Sequence, residues 1–81
     1  MTPEEFRQFG HELIDFIADY RERASRGEFP VLAQRQPGAL RAALPRSPPV
    51  QAEPVDRLLR DLDALIVPAC THWQDPRFFG Y

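Results

Sequence analysis

The 81-residue chain has no lysine, one cysteine and two histidines. Without an amine side chain, these residues offer no group that forms a Schiff base with a carbonyl cofactor. A single cysteine forms no intrachain disulfide, and Cys70 and His72 in a C-x-H pattern supply only half of the four ligands of an ordinary structural zinc site. We therefore expect no catalytic group, no metal and no cofactor held by this chain alone.

The chain also lacks a basic surplus and a long apolar run. Ten arginines stand against twelve acidic residues, which gives a formal charge of −2 and a pI near 5.6. That balance does not supply the basic face that binds nucleic acid. No run of about 18 apolar residues and no basic region followed by an apolar stretch occurs near the start. We expect a cytoplasmic protein that binds neither nucleic acid nor membrane.

The first part of the chain predicts an amphipathic helix over about residues 3–25. Thr2 and Glu5 have the spacing of a capping box, Pro3 suits the first turn, and Gly27 suits the end of the helix. Apolar residues recur at steps of three and four and so share one face. This apolar stripe consists of Phe6, Phe9, Leu13, Ile14, Phe16, Ile17 and Tyr20.

A proline-rich arm follows over residues 28–53. Prolines remove backbone donors and favour extended geometry in the residues before them. The arm keeps enough apolar residues that we expect it to lie against another surface, and residues 37–44 have a pattern that permits one short helical turn. The prolines are Pro30, Pro37, Pro45, Pro48 and Pro49.

A second amphipathic helix is predicted over about residues 54–67, closed by Pro68. The tail over residues 68–81 is rich in aromatic residues and has no polar ending. An exposed aromatic cluster of that kind is an association site or an aggregation hazard. We therefore expect the tail to continue into further sequence.

Together these elements predict an all-α fold of two amphipathic helices joined by a long extended arm. A chain this short buries little of its own apolar surface, and a long irregular connection is typical of an interacting segment. We therefore expect an intertwined homodimer in which two copies share one apolar core. The expected interface residues are Phe6, Phe9, Leu13, Phe16, Ile17, Leu58, Leu59, Leu62 and Leu65.

Three segments resemble the pyridoxal-phosphate (PLP)-dependent group II amino-acid decarboxylases, such as the aromatic-L-amino-acid enzymes. Residues 2–20 are similar to the first helix of that family, and residues 37–45 to its Pro-Gly-x-Leu-Arg segment followed by Leu-Pro. The most diagnostic stretch lies at residues 71–81. It reads Thr71-His72-Trp73-Gln74-Asp75-Pro76-Arg77-Phe78-Phe79-Gly80-Tyr81.

The resemblance implies that the chain is the N-terminal dimerisation segment of a carboxy-lyase. The domain that binds PLP, with its Schiff-base lysine, would lie outside these 81 residues, so this chain alone would be inactive. The resemblance further implies that Trp73 and Tyr81 line the substrate pocket, where stacked rings select a flat side chain. The implied partners are a second copy and the remainder of the decarboxylase chain.

Several alternatives stay open at this stage. Trp73 and Tyr81 are also compatible with plain packing at a subunit interface. His72 is compatible with proton transfer near neutral pH or with a structural hydrogen bond. The whole segment is also compatible with a free-standing helical interaction module that has no catalytic role.

Overall fold

The computed structural model describes residues 1–80, and Tyr81 lies outside the described residues. The described residues contain helical segments and no strand, as predicted for an all-α fold. The chain divides into two compact units. One unit consists of Met1–Val31 together with residues 72–80 and is called the α1 unit, after the long helix α1 at Pro3–Ser25. The central unit consists of Leu32–Thr71.

The long helix α1 covers Pro3–Ser25 and begins with a complete capping box. The Glu5 backbone N–H donates to Thr2 Oγ1 at 3.1 Å, and the Thr2 backbone N–H donates to Glu5 Oε2 at 2.7 Å. Donation from the Thr2 backbone and side chain lowers the pKa of Glu5. The reciprocal bonds satisfy backbone donors that the first helical turn leaves unpaired.

The end of α1 is a left-handed turn at Gly27, where φ is 73°. The Gly27 N–H donates to the Ala24 carbonyl and the Glu28 N–H donates to the Arg23 carbonyl, both at 3.1 Å. This pair of bonds is the Schellman pattern, which satisfies the last carbonyls of a helix and favours glycine.

The arm is not extended throughout. A short helix, α2, covers Ala39–Ala43 and contacts the helical turn at Leu62–Ile66 within the central unit. Gly38, with φ of 84°, reverses the chain just before α2. The pattern at residues 37–44 thus forms the short helical turn that the sequence permits.

The second amphipathic segment is three short elements instead of one regular helix closed by Pro68. Helix α3 covers Val55–Asp61, a π-helical turn covers Leu62–Ile66, and a 3₁₀ turn covers Val67–Ala69. Pro68 has no N–H to continue the α-helical ladder, and its ring crowds the carbonyl four residues earlier. The Val67 N–H donates to the Leu62 carbonyl instead. The helix therefore widens to a π-helical turn before Pro68 and then tightens to a 3₁₀ turn.

Little apolar surface is buried within the chain. Ala24 is the only hydrophobic residue among the described ones that is buried. Of the residues expected at an interface, Phe6 is 68% exposed and Leu58 is 55% exposed. Ile17 is exposed as well, and the others are half-buried, namely Phe9, Leu13, Phe16, Leu59, Leu62 and Leu65. No described helix is long and apolar enough to cross a membrane.

Candidate functional site

The described end of the tail, residues 72–80, folds against the end of α1 and the residues that follow it. The His72 backbone N–H donates to the Val31 carbonyl at 2.8 Å, and a hydrogen bond of 2.8 Å joins Tyr20 Oη to His72 Nδ1. His72 is only 2% exposed. Of the two roles open to His72, this geometry supports the structural one, because the buried ring is tied to a helix fifty residues earlier.

Aromatic packing surrounds the same histidine. The His72 ring stacks on Phe29 with centroids 4.6 Å apart and planes inclined by 21°. Tyr20 lies 5.6 Å from both rings, and the Arg23 guanidinium carbon lies 4.6 Å from the Phe29 centroid. Stacked rings capped by a cation are mutually favourable, so this end of α1 is a polar and aromatic cluster rather than an aliphatic core.

A second attachment runs through Arg77 and Asp75. Arg77 Nη2 donates to the Gly27 carbonyl at 3.1 Å and to the Phe29 carbonyl at 2.8 Å. Arg77 also donates to Asp75 from Nη2, Nε and its own backbone N–H, at 2.8, 3.0 and 2.7 Å. The planar, multiply donating guanidinium suits such simultaneous recognition of carbonyls and carboxylate.

These bonds set the charge state of the pair. Asp75 is 3% exposed, yet donation from the Arg77 guanidinium and then from the Arg77 backbone N–H lowers the pKa of Asp75 to about 2. The same carboxylate raises the pKa of Arg77. A buried carboxylate is tolerated when it is fully hydrogen-bonded to a partner of opposite charge, and here both groups stay charged over the ordinary pH range.

Trp73 directly follows His72 of this cluster, but its side chain is exposed to solvent. It is 63% exposed, on a turn in which the Asp75 N–H donates to the His72 carbonyl at 3.0 Å. Phe79 is also exposed. The other predicted pocket residue, Tyr81, lies outside the described residues. The structure thus places Trp73 on a surface and leaves the pairing of the two predicted rings a prediction.

No group of three or more His, Cys, Asp or Glu side chains within residues 1–80 is arranged to hold a metal ion. Cys70 is exposed, and the bond from Tyr20 occupies Nδ1 of His72. The C-x-H pattern therefore forms no metal centre among the described residues.

Sequence reasoning missed the contacts that Tyr20, Phe29, Asp75 and Arg77 make around His72 and its turn. The sequence pattern places Tyr20 only in the apolar stripe, although its hydroxyl needs a polar partner when half-buried. The Asp-x-Arg spacing was the available signal for the second attachment. Its long-range half, donation to the Gly27 and Phe29 carbonyls, has no local signature in the sequence.

Comparison with known proteins finds relatives that align with this chain over all of its 81 residues. A phenylacetaldehyde synthase of Petunia hybrida is 46% identical and one of a Rosa hybrid cultivar is 48% identical, each over all 81 residues and 16% of the relative. Tryptophan decarboxylase TDC2 of Camptotheca acuminata is 43% identical over the same span, again 16% of its length. The chain spans about one sixth of the curated relatives that it matches. No family model matches the chain.

Solved structures agree with these relatives. The chain matches Oryza sativa TDC solved with PLP and tryptamine with a TM-score of 0.84 at 34% identity, covering 94% of this chain and 16% of that one. It matches Catharanthus roseus tryptophan decarboxylase in complex with L-tryptophan with a TM-score of 0.82 at 38% identity and the same coverage. The chain is therefore similar, over its whole length, to the N-terminal region of the aromatic amino-acid decarboxylases.

Proposed function

We propose that this chain is the dimerising and pocket-lining N-terminal part of a PLP-dependent decarboxylase that acts on an aromatic amino acid. The observation that carries the proposal is the identity of 42–48% over all 81 residues with decarboxylases and phenylacetaldehyde synthases. The solved relatives contain PLP with tryptamine, or L-tryptophan. A flat aromatic amino acid is therefore the substrate class that we propose.

The residues present do not fit PLP by themselves. The cofactor is held in such enzymes through a lysine Schiff base, and this chain has no lysine. The chemistry that the cofactor supplies, which is to accept the electrons left when carbon dioxide departs, must therefore belong to the remainder of the enzyme. We propose that this chain contributes shape and association, and that it is inactive alone.

The exposed apolar face of α1 supports a role in association. Phe6 is 68% exposed, Ile14 is 65% exposed and Ile17 is 43% exposed. Exposed apolar side chains that share one face of a helix mark an interaction site. We propose that a second copy of the chain covers this face together with the rest of the enzyme, in a cytosolic homodimer.

The exposure of Trp73 supports its proposed place in the pocket wall. A tryptophan held at the surface by buried neighbours has its ring free to stack on a flat ligand. Tyr81, eight positions later, is proposed for the same wall on the strength of the family resemblance. Neither ring is proposed to react.

A free-standing helical interaction module is the weaker alternative. The relatives with which the chain aligns over its whole length are named as decarboxylases and synthases. An association module derived from such an enzyme would keep the exposed α1 face but would have no use for an aligned aromatic tail. The comparisons do not favour it.

The test is to express the complete reading frame and, separately, residues 1–81, each supplied with PLP. We expect the complete protein to release carbon dioxide from L-tryptophan or L-tyrosine, and residues 1–81 to release none. An assay of carbon dioxide release would also detect a synthase that converts the decarboxylated product further. A complete protein that releases no carbon dioxide from any aromatic amino acid would contradict the proposal.

A further inference from the structure

Trp73 is an exposed ring between two buried anchors. His72 on one side is 2% exposed and Asp75 on the other is 3% exposed, whereas Trp73 is 63% exposed. The Asp75 N–H donates to the His72 carbonyl at 3.0 Å and closes the turn. The indole therefore projects from a turn whose two ends are both fixed.

Each anchor is tied to the end of α1 by a separate set of bonds. His72 is held by Tyr20 through its ring, at 2.8 Å, and by the Val31 carbonyl through its backbone. Asp75 is held by Arg77, which also donates to the Gly27 and Phe29 carbonyls. The backbone on both sides of Trp73 is thereby attached to α1 through Tyr20 and to the residues that directly follow α1 through the Gly27, Phe29 and Val31 carbonyls.

A ring that selects a flat ligand must be held in place before the ligand arrives. Binding geometry has to be kept within about 0.5 Å by neighbours whose own positions are locked by packing and hydrogen bonds, and small displacements remote from the chemistry are costly. Tyr20 and Arg77 are the side chains whose bonds lock the two anchors. Neither of them is expected to touch the ligand.

We infer that Tyr20 and Arg77 are positioning residues, which hold the His72–Asp75 turn so that Trp73 is presented to an aromatic substrate. This inference rests on the proposed function, in which Trp73 lines the pocket. It goes beyond that function by assigning the selectivity of the pocket wall to contacts at the end of α1. A pocket wall that binds the substrate equally well in the ground state and in the transition state affects KM more than kcat.

The test uses the complete enzyme and a double-mutant cycle. Tyr20→Phe removes one hydroxyl, and we expect it to raise KM for L-tryptophan roughly fivefold, as for loss of one hydrogen bond, with kcat changed less than about twofold. Trp73→Ala is expected to raise KM by about tenfold or more. In the Trp73→Ala background, Tyr20→Phe is expected to have no further effect, because the ring that it positions is gone.

Arg77→Lys tests the other anchor. It keeps the charge but loses the planar fork that reaches both carbonyls and the carboxylate. We expect the same rise in KM and the same disappearance of the effect in the Trp73→Ala background. Glu5→Gln is the matched control, since it weakens the opposite end of α1 without contact to the turn, and its KM is expected to equal that of wild type.

Three results would overturn the inference. If Tyr20→Phe and Arg77→Lys leave KM unchanged while Trp73→Ala raises it, the wall stands but these residues do not position it. If they raise KM equally with and without Trp73, they act on general stability. If Trp73→Ala itself leaves KM unchanged, the proposed pocket role of Trp73 is wrong as well.

Discussion

The α1 unit and the central unit are held together in different ways. In the α1 unit, bonds such as Tyr20 to His72 and Arg77 to the Gly27 carbonyl span about fifty residues of sequence. In the central unit, which the structure describes in full, the hydrogen bonds and ion pairs found join residues at most five positions apart. Among the described residues, long-range hydrogen bonds are therefore found in the α1 unit, whereas the central unit has long-range packing of α2 on the turn at Leu62–Ile66.

The difference shows which unit fixes its own arrangement through long-range polar bonds and which relies on local ones. A buried polar cluster fixes one arrangement when all its members are satisfied, and the described residues leave no buried side-chain polar atom without a partner. Local bonds alone stabilise short helices poorly in water. The central unit, with α2 and α3 of five and seven residues, is therefore the unit whose own hydrogen bonds we expect to stabilise it less.

The largest expected effect is that of His72→Ala. The substitution removes a buried ring that stacks on Phe29 and bonds to Tyr20, and we expect it to lower the free energy of unfolding by about 3 kcal/mol. Chemical denaturation at fixed protein concentration measures this. His11→Ala, at the exposed histidine in α1, is the control and should cost less than about 0.5 kcal/mol.

Two glycines give a matched comparison between the units. Gly27 and Gly38 both have positive φ, so alanine at either position is strained by about 1 kcal/mol. At Gly27 the added methyl would lie at an ordinary van der Waals distance of 3.4 Å from Arg77 Nη2, and at Gly38 it meets nothing within 4 Å. We expect Gly27→Ala to lower the thermal midpoint more than Gly38→Ala, because strain at Gly27 also disturbs the turn whose carbonyl accepts from Arg77. Equal shifts would mean that the Arg77 attachment adds nothing.

Acid should weaken the α1 unit through Asp75. Its pKa is lowered from 3.8 to about 2, so the stabilisation by its carboxylate is complete above about pH 3.8 and is lost as the pH falls through about 2. Thermal midpoints measured across that window should fall for wild type. In Asp75→Asn that part of the fall should be missing, while the smaller contribution of Glu5, whose pKa is also lowered, remains.

The smallest effect is expected in the central unit. The Arg60–Asp56 pair, at 3.1 Å, connects two side chains that are both more than half exposed, and such pairs contribute about 0.3–0.5 kcal/mol on a helix. Arg60→Ala should therefore hardly move the denaturation midpoint. A loss as large as that of His72→Ala would show that the central unit depends on its ion pairs after all.

The sequence predicts best where structure is local. The capping box at Thr2, the apolar stripe of α1 and the turn at Gly27 follow from neighbouring residues, and all are present. The π-helical turn before Pro68 was missed, because the sequence shows where the α-helical hydrogen bonds must stop but not which hydrogen bonds replace them. The Tyr20–His72 bond was missed because no local pattern pairs residues 52 positions apart.

The candidate site was likewise predicted in part. The family resemblance singled out Trp73, and a structural hydrogen bond was one of the two roles open to His72. Arg77, which holds the Asp75 anchor, donates to the carbonyls of Gly27 and Phe29. Every residue has a backbone carbonyl, so the side chains in the sequence do not show which carbonyls are used. Packing of the tail on α1 is therefore what sequence alone could not supply.

The central claim is that the apolar face of α1 is covered by a second copy. Sedimentation velocity of the 81-residue chain across a dilution series, with thermal unfolding at the same concentrations, tests it most directly. We predict a dimer at micromolar concentration and a midpoint that rises with concentration, because association is linked to folding. A folded monomer at micromolar concentration with a midpoint independent of dilution would contradict the claim.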